Sequence, residues 1–163
     1  MRNMRRTPED DGGSTKQIGS GALEGILPFR ILVVDDDEDT LMALRDRLLS
    51  MGFDVVIENN GHSALSRIAL EARRAPIQGL LLDLQMPVLD GIAVLRELQQ
   101  RYRAIPVILM SATTDRDLLK KTLELGARAY LVKPFNNGLL REQCLRVFLE
   151  DNPLSEKTSR DTP

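Results

Sequence analysis

The chain has one cysteine, Cys144, one histidine, His62, and no tryptophan. A lone cysteine excludes an intrachain disulfide, and a single Cys and a single His leave no ligand set for a structural zinc site. No apolar run approaches the ~20 residues of a membrane-spanning helix, and the N-terminal stretch lacks the apolar centre of a secretory signal. Neither charge sign dominates: 22 Lys and Arg stand against 24 Asp and Glu, for a net charge of −2. That balance carries no electrostatic footprint for direct nucleic-acid binding or for an anionic membrane surface. These absences together predict a cytoplasmic protein without membrane insertion.

What is present falls into three parts. Residues 1–27 have no hydrophobic period and carry Gly12-Gly13-Ser14 and Gly19-Ser20-Gly21, which predicts a flexible N-terminal tail. Residues 151–163 predict a second polar tail, too short for an output domain. Residues 28–150 form the domain, and a core of about 120 residues buries roughly two-thirds of its unfolded surface without staples. Inside it a beat repeats. Short apolar runs begin near Ile31, Asp54, Ile77, Ile105 and Ala129, and amphipathic segments separate them. Leu41, Leu44, Leu48 and Met51 fall on one helical face; so do Ile92, Leu95, Leu98 and Tyr102, and later Leu140, Cys144 and either Val147 or Phe148. Gly52 and Gly126 are placed as helix stops. Strand and helix alternating five times predict an α/β domain with a five-stranded parallel sheet and helices on both faces.

A parallel sheet aligns the C-terminal ends of its strands along one edge, where ligands bind. The first run, Ile31-Leu32-Val33-Val34, is followed by Asp35-Asp36-Asp37-Glu38-Asp39. The third run ends in Asp83, the fourth in Ser111 and the fifth in Lys133. Carboxylates, a hydroxyl and an ammonium thus converge. Clustered carboxylates repel, and a hard dication removes the conflict; all-oxygen ligands favour Mg²⁺ or Mn²⁺. Such an ion leaves room for a phosphoryl oxygen, which Lys133 and Ser111 can also contact. Asp83 then stands where a nucleophile would, so the site reads as phosphoryl transfer onto an aspartate.

The segments Val33–Asp36, Leu80–Gly91 (LLLDLQMPVLDG), Pro106–Ala112 (PVILMSA) and Ala129–Phe135 (AYLVKPF) resemble, in order and spacing, the receiver domain of two-component response regulators. The resemblance spans roughly residues 29–149 and implies a flavodoxin-like, CheY-like fold of strand order 2-1-3-4-5. It implies that Asp83 accepts a phosphoryl group from a histidine kinase or phosphotransfer protein. Asp36 would bind Mg²⁺ directly, Asp35 through water, and the backbone carbonyl of Gln85 would complete the protein ligands. Ser111 matches the family's hydroxyl switch, Tyr130 its aromatic switch and Lys133 its lysine, whose bond to Pro134 is usually cis in the family. Gln85 and Thr113 lie where the family tunes phosphoryl lifetime. The implied role is a signalling switch and not an enzyme with a separate substrate. Helix 4, strand 5 and helix 5 would form the face that meets a downstream protein target or a second copy in a homodimer.

Simpler readings stand beside these. Asp37, Glu38 and Asp39 suit the positive end of a helix, with Asp37 or Asp39 as its cap. Asp90-Gly91 suits a cap and a flexible helix entry. Ser111 alone suits a strand end and Tyr130 alone a packed ring with a wet hydroxyl. His62 suits the surface and Cys144 an inert core. Two other functions compete. A haloacid-dehalogenase-like phosphatase also phosphorylates an aspartate, but its nucleophile lies on the first strand, and here the acidic pair comes first. A receiver-like binding module that never uses phosphate would be expected to have lost part of the Asp35, Asp36, Asp83, Ser111 and Lys133 set.

Overall fold

The computed structural model describes residues 28–150, so both predicted tails lie outside the described residues. Five strands, β1 (Arg30–Val34), β2 (Asp54–Glu58), β3 (Gly79–Asp83), β4 (Val107–Ser111) and β5 (Ala129–Val132), form one sheet of order β2-β1-β3-β4-β5. All four pairings are parallel. Helices α1 (Glu38–Ser50), α2 (Gly61–Glu71), α3 (Gly91–Arg101), α4 (Arg116–Glu124) and α5 (Asn137–Cys144) follow the strands in turn, and a π-helical turn, Leu145–Glu150, extends α5. Among the described residues no helix is long and apolar enough to cross a membrane.

Strand side chains alternate between the two faces. Ile31, Val33, Leu81, Ile108, Met110 and Leu131 pack with Leu41, Leu44 and Leu48 of α1 and Leu140 and Cys144 of α5. Leu32, Val34, Leu80, Leu82, Val107 and Leu109 pack with Ala64 and Ile68 of α2 and Val94, Leu95 and Leu98 of α3. The three inner strands are therefore apolar on both faces, as expected of a sheet covered twice. On β2, at the edge, every residue is only half-buried.

Each helix starts at an Asp or Asn whose side-chain oxygen accepts a backbone N–H of the first turn. These caps are Asp37 (from Thr40), Asn60 (Ser63), Asp90 (Ala93), Asp115 (Asp117 and Leu118) and Asn136 (Leu139). A cap of this kind is worth about 1 kcal/mol. It fixes where each connection from the functional edge of the sheet turns into helix. Gly52 and Gly126 adopt φ of 93° and 102°, the left-handed conformation expected of helix stops.

Several local expectations change. The third and fourth strands begin two residues later than the apolar runs, at Gly79 and Val107. Gln78 spends its side-chain oxygen on the Arg30 N–H, and Pro106 has no N–H to give a ladder. Gly91 is required for closeness rather than flexibility: a Cβ there would overlap the Asp83 carbonyl and sit 2.8 Å from the Leu84 Cα. Val147 and Phe148 are both buried, at 1% and 0% exposure. The π turn is wider than an α turn, so two successive residues reach the core. The Phe148 ring stacks on Phe29 at 5.7 Å and lies where a side chain at Gly79 would be.

Candidate phosphoryl and metal site

The strand ends meet as their spacing predicts. Asp35 follows β1, Asp83 ends β3, Ser111 ends β4 and Lys133 follows β5; the Lys133 N–H donates to the Ser111 carbonyl at 2.8 Å. Lys133 and Asp35 are 98 positions apart in the chain, yet the Lys133 Nζ donates to Asp35 Oδ2 at 2.7 Å. The same ammonium donates to Asp83 Oδ1 at 3.2 Å. Asp35 and Asp83 are buried, with 1% and 4% exposure, whereas Asp36 is exposed. One carboxylate oxygen from each of Asp35, Asp36 and Asp83 lies within 4.8 Å of the others.

The three acids differ in what already occupies them. Asp35 Oδ1 accepts the Asp37 N–H at 3.0 Å, and its other oxygen takes Lys133. Asp36 makes no hydrogen bond or ion pair among the described residues and faces solvent. Asp83 has its pKa raised: burial is the largest cause and the Asp35 charge adds to it, while Lys133 and the Gln85 backbone N–H pull the other way. Lys133 is pulled down by burial, but its hydrogen bond to Asp35 and the charges of Asp83 and Asp35 outweigh this, so its pKa is raised. The cluster thus holds three carboxylates against one ammonium, two of the acids buried and Asp36 open to solvent. Oxygen-only donors with excess negative charge fit a hard divalent cation such as Mg²⁺.

The remaining sequence candidates are placed as follows. Ser111 is buried, and its hydroxyl accepts the Thr113 N–H at 3.0 Å. The structure records no bond from it to Asp83. Gln85 is exposed just beyond Asp83. The Lys133–Pro134 bond is cis. Tyr130 is 40% exposed on β5, on the sheet face opposite Ala129 and Leu131, and belongs to neither core cluster. Asp37 and Asp90 are helix caps, and for Asp37 the Thr40 backbone N–H is the main influence holding its pKa down. His62 is exposed, and burial pushes the Cys144 thiol up to about 12.

A family model described as "Response regulator receiver domain" matches residues 31–144, most of the chain. The chain belongs to the response regulator receiver family. This receiver is 42% identical over 123 residues to the transcriptional regulatory protein PrrA of Mycobacterium tuberculosis, covering 76% of this chain and 50% of that protein. It is 35% identical over 107 residues to the alkaline phosphatase synthesis transcriptional regulatory protein PhoP of Bacillus subtilis, covering 66% of this chain and 43% of that one. The chain therefore spans about half the length of these curated relatives. Among solved structures, it resembles the CheX–CheY–BeF3–Mg complex from Borrelia burgdorferi with a TM-score of 0.71 and 29% identity, over 76% of this chain and 91% of that one.

Two residues at the site were not legible from the sequence as they stand here. Gly91 lets α3 press against the strand end that carries Asp83. Only the Asp-Gly pair was visible, and it signals a cap as readily as a close approach. Thr113 enters through its backbone, by giving the Ser111 hydroxyl a donor; a main-chain contact of that kind has no residue signature.

Proposed function

We propose that this receiver accepts a phosphoryl group on Asp83 from the phosphohistidine of a histidine kinase or phosphotransfer protein, and that Mg²⁺ assists. The supporting observation is the Lys133 ammonium held between Asp35 and Asp83 at a buried sheet edge. Asp83 Oδ attacks phosphorus in line, the bond from phosphorus to the donor imidazole nitrogen breaks, and an acyl phosphate forms. Lys133 is placed to follow the new negative charge, since its three donors can leave a carboxylate for a phosphoryl oxygen. Ser111 can turn its hydroxyl from Thr113 toward the same group. A bound Mg²⁺ would screen the carboxylates and the phosphoryl oxygens from one another. Asp36 suits direct ligation because nothing else engages it, Asp35 suits a water-mediated role because both its oxygens are engaged, and the Gln85 carbonyl is the third candidate ligand.

In this reading the domain promotes only its own phosphorylation and dephosphorylation. Its output is a change in the face of α4, β5 and α5, where Leu123, Tyr130 and Leu139 are 40%, 40% and 38% exposed. A downstream protein, or a second copy in a homodimer, would bind there. The cytoplasm is the compartment this role requires. Acetyl phosphate with Mg²⁺ should add the mass of one phosphoryl group to the intact chain, and Asp83→Asn should abolish that gain. Undiminished labelling of the variant would remove Asp83 as acceptor, and no labelling of the native chain would favour a phosphate-independent module.

A further inference from the structure

The connection from β3 to α3 contains the one non-glycine residue with positive φ among the described residues, Val88 at 69°. The Leu89 N–H donates to the Pro87 carbonyl at 2.9 Å, which closes a γ-turn with Val88 at its centre. With positive φ at the central residue this is the rare, strained form of the turn, and a β-branched side chain suits it least. The turn is held from both sides. Leu89 presses on Gly61, where a Cβ would lie 3.0 Å from the Leu89 side chain and carbonyl, and Asp90 caps α3. Val88 itself touches almost nothing, being 96% exposed, the most exposed large apolar side chain among the described residues. Neither core packing nor backbone preference accounts for a valine here. Strain that the surroundings enforce around an idle apolar group points to a contact outside the chain.

A cleft of about 280 Å³ opens beside this turn, between Val88, Pro87 and Leu89 on one side and Asn59, Asn60 and His62 on the other. Its walls are the connections leaving β3 and β2. β1, whose end leads into Asp35 and Asp36, lies between those two strands in the sheet, so the cleft opens on the same edge as the acids. A macromolecule delivering a group to the buried Asp83 must cover this edge. The interaction face of α4, β5 and α5 lies at the far side of the sheet, beyond β4. Exposed acids, Asp36 to Asp39 and Asp90, surround the edge, so the complementary surface is an apolar side chain set among basic ones.

We propose that Val88 and the cleft beside it form a docking contact for the phosphodonor protein, seating one of its apolar side chains. The proposal rests on phosphoryl transfer to Asp83 as the domain's function and adds where the donor binds.

Purified, autophosphorylated histidine kinase cores from the genome that encodes this chain serve as donors, and the fastest is kept for the variants. Acetyl phosphate is the small-molecule donor. Val88→Gly should relieve the turn and raise Tm by roughly 2–5 °C. It should also lower kcat/KM for transfer from the kinase at least tenfold, with the acetyl phosphate rate unchanged within twofold. Val88→Met keeps an apolar group at the tip and should retain kinase transfer within about threefold. A Val88→Gly chain that accepts phosphate from the kinase as fast as the native one overturns the proposal. Transfer lost equally in the glycine and methionine variants overturns it too, because turn geometry rather than apolar contact would then matter. A native chain labelled by acetyl phosphate but by no kinase removes the donor contact, whereas failure with every donor removes the underlying function instead.

Discussion

Replacing Lys133 by Met keeps the length of the aliphatic stem and deletes the charge. In the native site the ammonium lies 2.7 Å from Asp35 and 3.2 Å from Asp83. At an effective dielectric constant of about 20 these separations correspond to roughly 6 and 5 kcal/mol of attraction, which desolvation of the three groups largely offsets. Removing one partner leaves the others buried and unpaired, at a typical cost of about 3–5 kcal/mol. The Lys133 side chain is 26% exposed, so water reaches it and the lower end, about 3 kcal/mol, applies. With a urea m-value of about 1.5–2 kcal/mol/M, the unfolding midpoint of Lys133→Met should fall by roughly 1.5–2 M at neutral pH in EDTA. The deficit should depend on pH with a definite sign. Burial raises the Asp83 pKa above the ordinary carboxylate range, and losing Lys133 removes two influences that lower it. A carboxyl with a raised folded pKa supports folding most below its unfolded pKa and progressively less as pH rises through the folded one. The deficit should therefore shrink as pH falls toward 4 and be full at pH 7. An equal deficit at both, or one under about 1 kcal/mol at pH 7, would refute the charge argument and leave the stem's packing as the cause.

Three further outcomes follow from the same structure. Asp83→Asn removes one buried carboxylate while keeping Asp35 paired with Lys133, so in EDTA the variant should be more stable than the native chain at pH 7 by urea unfolding. Its advantage should disappear as pH falls below the raised Asp83 pKa. Gly91→Ala drives a methyl group against the Asp83 carbonyl and Leu84, and overpacking of this kind costs about 1–3 kcal/mol; acetyl phosphate labelling should slow along with the stability loss, and native-like values for both would show that α3 can retreat freely. Cys144 is fully buried with its thiol pushed up to about 12, so a thiol reagent at pH 8 should label it only at the rate of unfolding and promptly in urea.

The sheet was legible because its inner strands must be apolar on both faces, which leaves runs such as Leu80-Leu81-Leu82 with no other reading. The site was legible for the same reason: a polar residue at the end of such a run stands at the sheet's functional edge. Strand starts were not, since Gln78 substitutes a side-chain oxygen for a ladder partner and Pro106 withholds a donor. Most of the ion-pair group at the β2 edge also had no sequence signal. There Arg30 joins Asp54 and Glu71, and Arg67 joins Glu58, across spacings set by the tertiary fold; the Arg67–Glu71 pair, four residues apart on α2, is the part a helical spacing supplies. Nor does valine announce a left-handed turn; at Val88 the neighbours Pro87, Leu89 and Gly61 decide the backbone and the residue complies.

The forked grip of Lys133 ties together three strands that are not all neighbours. β5 touches only β4 within the sheet, yet its end is tethered past β4 to the ends of β3 and β1 by one flexible chain of four methylenes. An anion that took the ammonium at Asp83 would release its bond to Asp35, and the end of β5, the strand bearing Tyr130, would then lose an anchor that reaches across two other strands.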